Sequence, residues 1–203
     1  MSKAENVIKG SVRNIIDTYK KASEASLAEG EAWYTDAHSI ALQVSELCGT
    51  IDIRVGAGIL AALSPQMDWG ENIAEALKLA SIGYSKKQTG ANNTKAVKIR
   101  EGQDPEEVLG GKKVVPFYHA ILEPFGNDLP VVDRHAIEVF CGKPVSKRDR
   151  TRAMSSLKEI TEIQASYKLA SNKLGVHYNV VQAVTWVQHR KNKGYTKTKA
   201  WEQ

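Results

Sequence analysis

A lysine pair and one aspartate are the residues of this chain best suited to chemistry. Lys112 and Lys113 follow Gly110 and Gly111 in "LGGKKVVPFYHAIL" (109–122), and Asp133 stands twenty-one positions beyond Lys112 in "LPVVDRHAIEVF" (129–140). A lysine becomes a nucleophile only once it loses its proton, and desolvation beside another cation depresses its pKa, which an adjacent lysine can do. A carboxylate can stabilise positive charge developing on a reacting carbon, or take the proton of an attacking water or amine. A glycine hairpin between two helices exposes backbone N–H groups at the positive end of the second helix, where a phosphate binds. Each feature also has a plain structural reading. Gly–Gly is an ordinary turn, and an aspartate at a helix start is an N-cap.

The elements that position these residues are helical by periodicity. Val7, Ile8, Val12, Ile15, Ile16 and Tyr19 mark one amphipathic helix; Trp33, Ala37, Ile40, Ala41, Val44 and Leu47 mark a second, with Thr35 or Asp36 near its start. "VGAGILAAL" (55–63) is apolar all round and reads as a buried central helix, stopped at Pro65. "ENIAEALKLA" (71–80) resumes helix, and the polar "GYSKKQTGANNTK" (83–95) reads as a loop in which Asn92 and Asn93 form a turn. "DPEEVL" (104–109) has an aspartate cap, a proline at the first helical position and acids in the first turn. The next helix holds Pro116 in its first turn, "EPFGNDLP" (123–130) is a loop, and another helix begins at "VDRH". Two more are expected near 151–174 and 179–190, with Gly175 as a C-cap between them. With no run of alternating strands, the expected fold is all-α, with about eight to ten helices.

Composition narrows the function classes. The chain has 203 residues, 42% hydrophobic and 25% charged, in the range of a soluble globular protein with a real core. No apolar run is long enough for a membrane span, and "MSKAENVIKG" lacks the apolar core of a signal peptide, so a cytoplasmic location is expected. Cys48 and Cys141 stand alone, which argues against a thiolate metal site and against a disulfide. The net charge of +5 is concentrated in "KPVSKRDRTR" and in "HRKNKGYTKTK", the latter carrying Arg190, Lys191, Lys193, Lys197 and Lys199 without an acid. Such runs are either a solvated face or the footprint of a polyanion, nucleic acid first.

The hairpin lysines, a loop and then "VDRH" at a helix start resemble the helix-hairpin-helix DNA glycosylase superfamily. Two earlier segments agree in order: "GAGILAALSPQMDWGENIAEAL" is similar to the family's buried helix ending in a Ser-x-Gln turn, and "NTKAVKI" to its short S-K-A helix. The resemblance covers about residues 55–142. It implies a two-lobed helical fold, with one lobe at 31–125 ending in the hairpin and a second formed by 1–30 and 126–203. It also implies an enzyme that flips a damaged or modified base out of DNA and breaks its N-glycosidic bond, with or without lyase activity. Asp133 matches the catalytic aspartate. Lys112 matches the lyase lysine in the archaeal 8-oxoguanine glycosylase alignment, Lys113 in the endonuclease III alignment. Gly110 and Gly111 match the phosphate-gripping hairpin, where a monovalent cation is the one cofactor implied.

Ser64 and Gln66 match the turn that presents a wedge into the duplex, Gln66 being the wedge. Arg134 and His135, which follow Asp133, are DNA-binding candidates by the same resemblance, and His135 matches the family histidine, whose role is taken as structural. Trp69 and Asn72, beyond the wedge turn, and Tyr118 and His119, after the hairpin, are the base-pocket candidates. Each of the four also has a packing reading. Leu109 stands where one form of the hairpin has its first glycine, and the iron–sulfur cysteines of endonuclease III are absent. The chain also looks like bacteriophage proteins carrying "AALSPQ" and "DRHA", so a transferase acting on hypermodified phage bases is an alternative on the same scaffold. A DNA-binding module without catalysis is another, and a helical assembly protein a third. DNA is the expected partner and a monomer the expected state; no membrane partner and no metal are expected. Tyr34, Asp36 and His38 do not share a helical face and read as surface residues, and Trp186 reads as packing.

Overall fold

The computed structural model describes residues 8–85 and 90–195. Within them it contains eleven helices and no strand: α1 (Val12–Lys20), α2 (Glu24–Leu47), α3 (Ile53–Leu63), α4 (Trp69–Ile82), α5 (Ala91–Arg100), α6 (Pro105–Val108), α7 (Val114–Leu122), α8 (Arg134–Cys141), α9 (Lys147–Ser155), α10 (Leu157–Leu174) and α11 (Tyr178–Asn192). The protein is all-α. No helix among the described residues is long and apolar enough to cross a membrane. The chain divides into two units at Trp33/Tyr34, inside α2, and at Asn127/Asp128.

The unit holding both ends of the described chain is built on α8. All of its residues except Arg134 are buried, and they pack with Ile15 of α1, Ile160, Ile163, Tyr167 and Ala170 of α10, and Val181 of α11. Asn14 Nδ2 donates to Phe140 O at 2.9 Å, tying α1 to the end of α8. Gly30 of α2 lies against α11, where a Cβ would stand 2.5 Å from Val184 Cα, so only glycine permits that approach.

The second unit is built around α3, whose residues Gly56 to Leu63 are all buried. Asp52 caps it by accepting from Arg54 N at 3.0 Å. A Cβ on Gly56 would fall 1.9 Å from Ala41 O, so α2 and α3 touch backbone to backbone. The neighbours of α3 include α5, α7 and α4.

Four local expectations are corrected. The second helix begins at Glu24 rather than near Thr35, because Ser23 Oγ accepts from Ser26 N at 3.2 Å and starts it there. Tyr34, Asp36 and His38 therefore lie inside a helix, and two of them are not surface residues: Tyr34 is buried, and His38 Nδ1 pairs with Ile121 O at 3.0 Å. The loop expected to Lys95 ends at Gly90, and Asn92 and Asn93 belong to α5. The single helix expected over 151–174 breaks at Ser156, whose backbone is extended and whose hydroxyl accepts from Glu159 N at 3.3 Å. The expectations for Val7, Lys197 and Lys199 lie outside the described residues.

Candidate functional site

Val131 and Val132 are buried, and Gln164 Nε2 holds the preceding Pro130 O at 3.1 Å, so the chain enters α8 in a fixed extended conformation. Asp133 is the N-cap. Its Oδ1 accepts from His135 N and Ala136 N, each at 2.9 Å, and its Oδ2 accepts from Trp186 Nε1 at 3.1 Å. Three N–H donors at the positive end of a helix favour the charged carboxylate. Trp186 was expected to pack and does so, against Trp33 with ring centroids 5.8 Å apart, but it is also a polar partner of Asp133.

His135 is 3% exposed and lies among the rings of Trp186, His189 and Tyr195 at 6.1, 5.6 and 5.9 Å. Burial pushes its pKa down to about 4; the Asp133 charge opposes this, while Arg134, Arg190 and His189 add to it. The ring is neutral at pH 7, accepts from Arg134 Nε at 3.2 Å, and keeps Nδ1 buried without a hydrogen-bond partner. Such a residue shapes the site from inside and does not reach for a phosphate, whereas Arg134 is exposed.

One turn further on, Glu138 is 1% exposed. Its Oε1 accepts from Val145 N at 3.2 Å and Arg150 Nη1 at 2.7 Å; its Oε2 pairs with His189 Nε2 at 3.0 Å and with Lys193 Nζ. Burial raises the pKa, but the bonds from Lys193, His189 and Val145 outweigh it and bring it to about 2. His135, Glu138 and His189 offer ligand atoms within 4.8 Å of one another, spacing that a metal ion could use. Lys193 and Arg150 already neutralise that carboxylate, and Arg134 and Arg190 lie nearby. A divalent cation would have to displace Lys193, so the cluster reads as an internal ion network.

The hairpin residues belong to the second unit. Asp104 caps α6, accepting from Glu106 N at 2.9 Å, and Pro105 opens the helix as expected. Gly111 has φ +100°, the left-handed backbone that the turn requires, and Lys113 precedes α7 with no side-chain cap. Pro116 lies in the first turn of α7. Lys113 Nζ stands 5.9 Å over the Phe117 ring, which meets Trp69 edge-on at 6.0 Å. Lys112, beside it, is part-buried. Lys95 of α5 reaches the same hairpin: its Nζ lies 4.0 Å from where a Cβ on Gly110 would be. Lys95, Lys98, Thr94 and Glu107 line a groove of about 450 Å³ beside it.

Ser64 ends α3, its hydroxyl donating to Ala61 O at 3.0 Å. Gln66 follows, exposed and at φ +62°, the one non-glycine residue with positive φ among those described. Such a conformation is strained and collects at functional sites. Trp69, Asn72 and Tyr118 are buried in the second unit, and His119 is half-buried. Asn72 Nδ2 donates to Leu60 O at 3.0 Å, and its Oδ1 is buried with no hydrogen-bond partner. Burial pushes the Tyr118 hydroxyl pKa up, opposed by the Arg54 guanidinium.

Within one unit the fold thus brings together Asp133, His135 and Trp186; within the other, Lys113, Phe117 and Trp69, and Lys95 with Gly110. Sequence reasoning missed Trp186 as a carboxylate partner, Lys95 at the hairpin, and the Glu138 network. An acid between Ile137 and Val139 on a buried helix was the available signal for the last. A family model described as DUF7178, a family of unknown function, matches residues 1–193. No curated protein and no solved structure matches the chain.

Proposed function

We propose that this chain, which belongs to the DUF7178 family, is a DNA-binding enzyme that flips a damaged or modified base and breaks its N-glycosidic bond. The observation that carries the reading is the Asp133 carboxylate, fixed at a helix start by two backbone N–H groups and one indole N–H. As the C1′–N bond breaks, its electron pair leaves with the base and positive charge builds on the sugar, which that carboxylate stabilises. Either a water or the amine of Lys112 or Lys113 then bonds to C1′, and Asp133 takes the proton that the nucleophile loses.

The remaining features support a DNA substrate. A glycine hairpin with Lys95, Lys112 and Lys113 suits a phosphate backbone. Gln66, exposed and strained, suits a side chain held ready to fill the gap left by a flipped nucleotide. The test is borohydride trapping on oligonucleotides carrying abasic sites and a panel of damaged and modified bases. A covalent adduct lost in Lys112→Ala or Lys113→Ala identifies the nucleophile. Base release without an adduct indicates water as the nucleophile. DNA bound with neither product means a binding module in which Asp133 is only a cap.

A further inference from the structure

We infer that Trp186 is a positioning residue for Asp133, its indole N–H holding the second carboxylate oxygen so that the charge is presented in one orientation. The inference rests on the reading of Asp133 as the catalytic carboxylate.

Rotation about the last bond of an aspartate is soft and roughly two-fold. Capping α8 uses one oxygen, Oδ1, through His135 N and Ala136 N. The second oxygen is held from another helix, 53 positions away, by Trp186 Nε1 at 3.1 Å. An indole N–H is a donor only, so it cannot reverse roles as a hydroxyl would, and it favours the ionised carboxylate.

The donor is itself held. Trp33 of α2 meets the Trp186 ring edge-on at 5.8 Å, His135 does so at 6.1 Å, and the Arg190 guanidinium lies 4.5 Å over it. Arg190 is in turn faced by the Tyr195 ring at 4.8 Å. The buried side of α11 is already supplied by Val181, Val184 and Val187, so packing alone does not call for tryptophan at this half-buried position. Tryptophan adds over phenylalanine a second ring and the N–H, and it is the N–H that reaches Asp133. A donor fixed before the reaction needs no rearrangement as charge develops, which is how preorganised sites lower a barrier.

The charged and titratable groups facing the Asp133–His135 pair include Arg134 on α8, Tyr167 on α10, and His189 and Arg190 on α11. A bicyclic isostere keeps the ring that Arg190 and His135 meet and removes the indole N–H alone, whereas phenylalanine also trims the ring under Arg190.

Two versions of the full chain test this. One is Trp186→Phe; the other places the tryptophan isostere benzothienylalanine at 186, which keeps the bicyclic shape and lacks the N–H. The Asp133 carboxyl ¹³C shift is followed against pH, with Asp133→Asn giving the assignment. We expect its midpoint to rise by about one pH unit in both variants, and the single-turnover rate of base release to fall about tenfold at unchanged DNA affinity. A midpoint equal to wild type in either folded variant overturns the inference; should Trp186→Phe fail to fold, the isostere decides. If wild type releases no base from any substrate, the reading of Asp133 as a catalyst fails. The carboxyl titration would still report whether the indole holds it.

Discussion

His189 Nε2 and Glu138 Oε2 are 3.0 Å apart although 51 positions separate them in the chain. Their contact lies inside a network in which one buried carboxylate answers Arg150, Lys193, His189 and the Val145 N–H. A carboxylate that is 1% exposed is tolerable only with such company. Glu138→Ala should therefore cost about 3 kcal/mol, the scale for removing one partner of a buried pair. Arg150 and Lys193 retain 24% and 30% exposure and can turn to water, which keeps the loss from being larger. Urea unfolding measures it, and a change below about 0.5 kcal/mol would show that the network does not stabilise the fold.

Two groups of α8 with lowered pKa values, His135 and Glu138, contribute to the response to acid. The folded pKa of His135, about 4, lies below its ordinary 6.5, so as pH falls the unfolded chain takes up the proton first. Stability is then lost between about pH 6.5 and 4, by up to roughly 3 kcal/mol. Glu138, brought from 4.5 to about 2, contributes stability above pH 4.5 that disappears as pH falls toward 2. Urea midpoints measured from pH 8 to 4 should decline already above pH 5. In His135→Gln that early decline should shrink to the part left by His177, whose pKa burial also lowers; a decline of the same size in the variant would assign it elsewhere.

Gln66 offers a trade between stability and action. At φ +62° a glycine relieves strain, so Gln66→Gly should leave the melting temperature unchanged or raise it, by the equivalent of about 1 kcal/mol. The same change removes the side chain proposed to fill the gap in the duplex. Fluorescence of 2-aminopurine placed at the target position should show less base flipping with Gln66→Gly and with Gln66→Ala. Flipping at the wild-type level in both would remove Gln66 from the site.

At the hairpin, Lys95→Ala should weaken DNA binding across sequences and reduce the slope of log K against log salt by about 0.9, one phosphate contact. Gly111→Ala has open space around the new methyl but must hold φ +100°, so it should weaken binding through the backbone instead. Binding titrations at several salt concentrations separate the two. An unchanged slope for Lys95→Ala would place that ammonium off the DNA path.

The parts of this structure legible in sequence are those that depend on neighbours along the chain. Asp104–Pro105 marks the start of α6, Asp133 the cap of α8 and Gly175 the end of α10, because caps and turns are set by a few adjacent residues. What escaped depends on distant partners. Gly30 lies inside α2 because Val184 of α11 fills the space where its side chain would be. Periodicity places Trp186 on a helix face but does not say that its N–H meets a carboxylate 53 positions earlier. Likewise the charge on Glu138 is explained only by Arg150, His189 and Lys193 arriving from elsewhere.

The most direct test of the central claim is single-turnover base release by wild type and Asp133→Asn on the oligonucleotide panel. Asparagine caps a helix as well as aspartate does, so the variant keeps the cap of α8 while it loses the charge and the oxygen that accepts from Trp186 Nε1. Wild type should free a base from at least one substrate, and Asp133→Asn should slow that release at least a hundredfold with DNA affinity retained. Equal rates for the two proteins would contradict it.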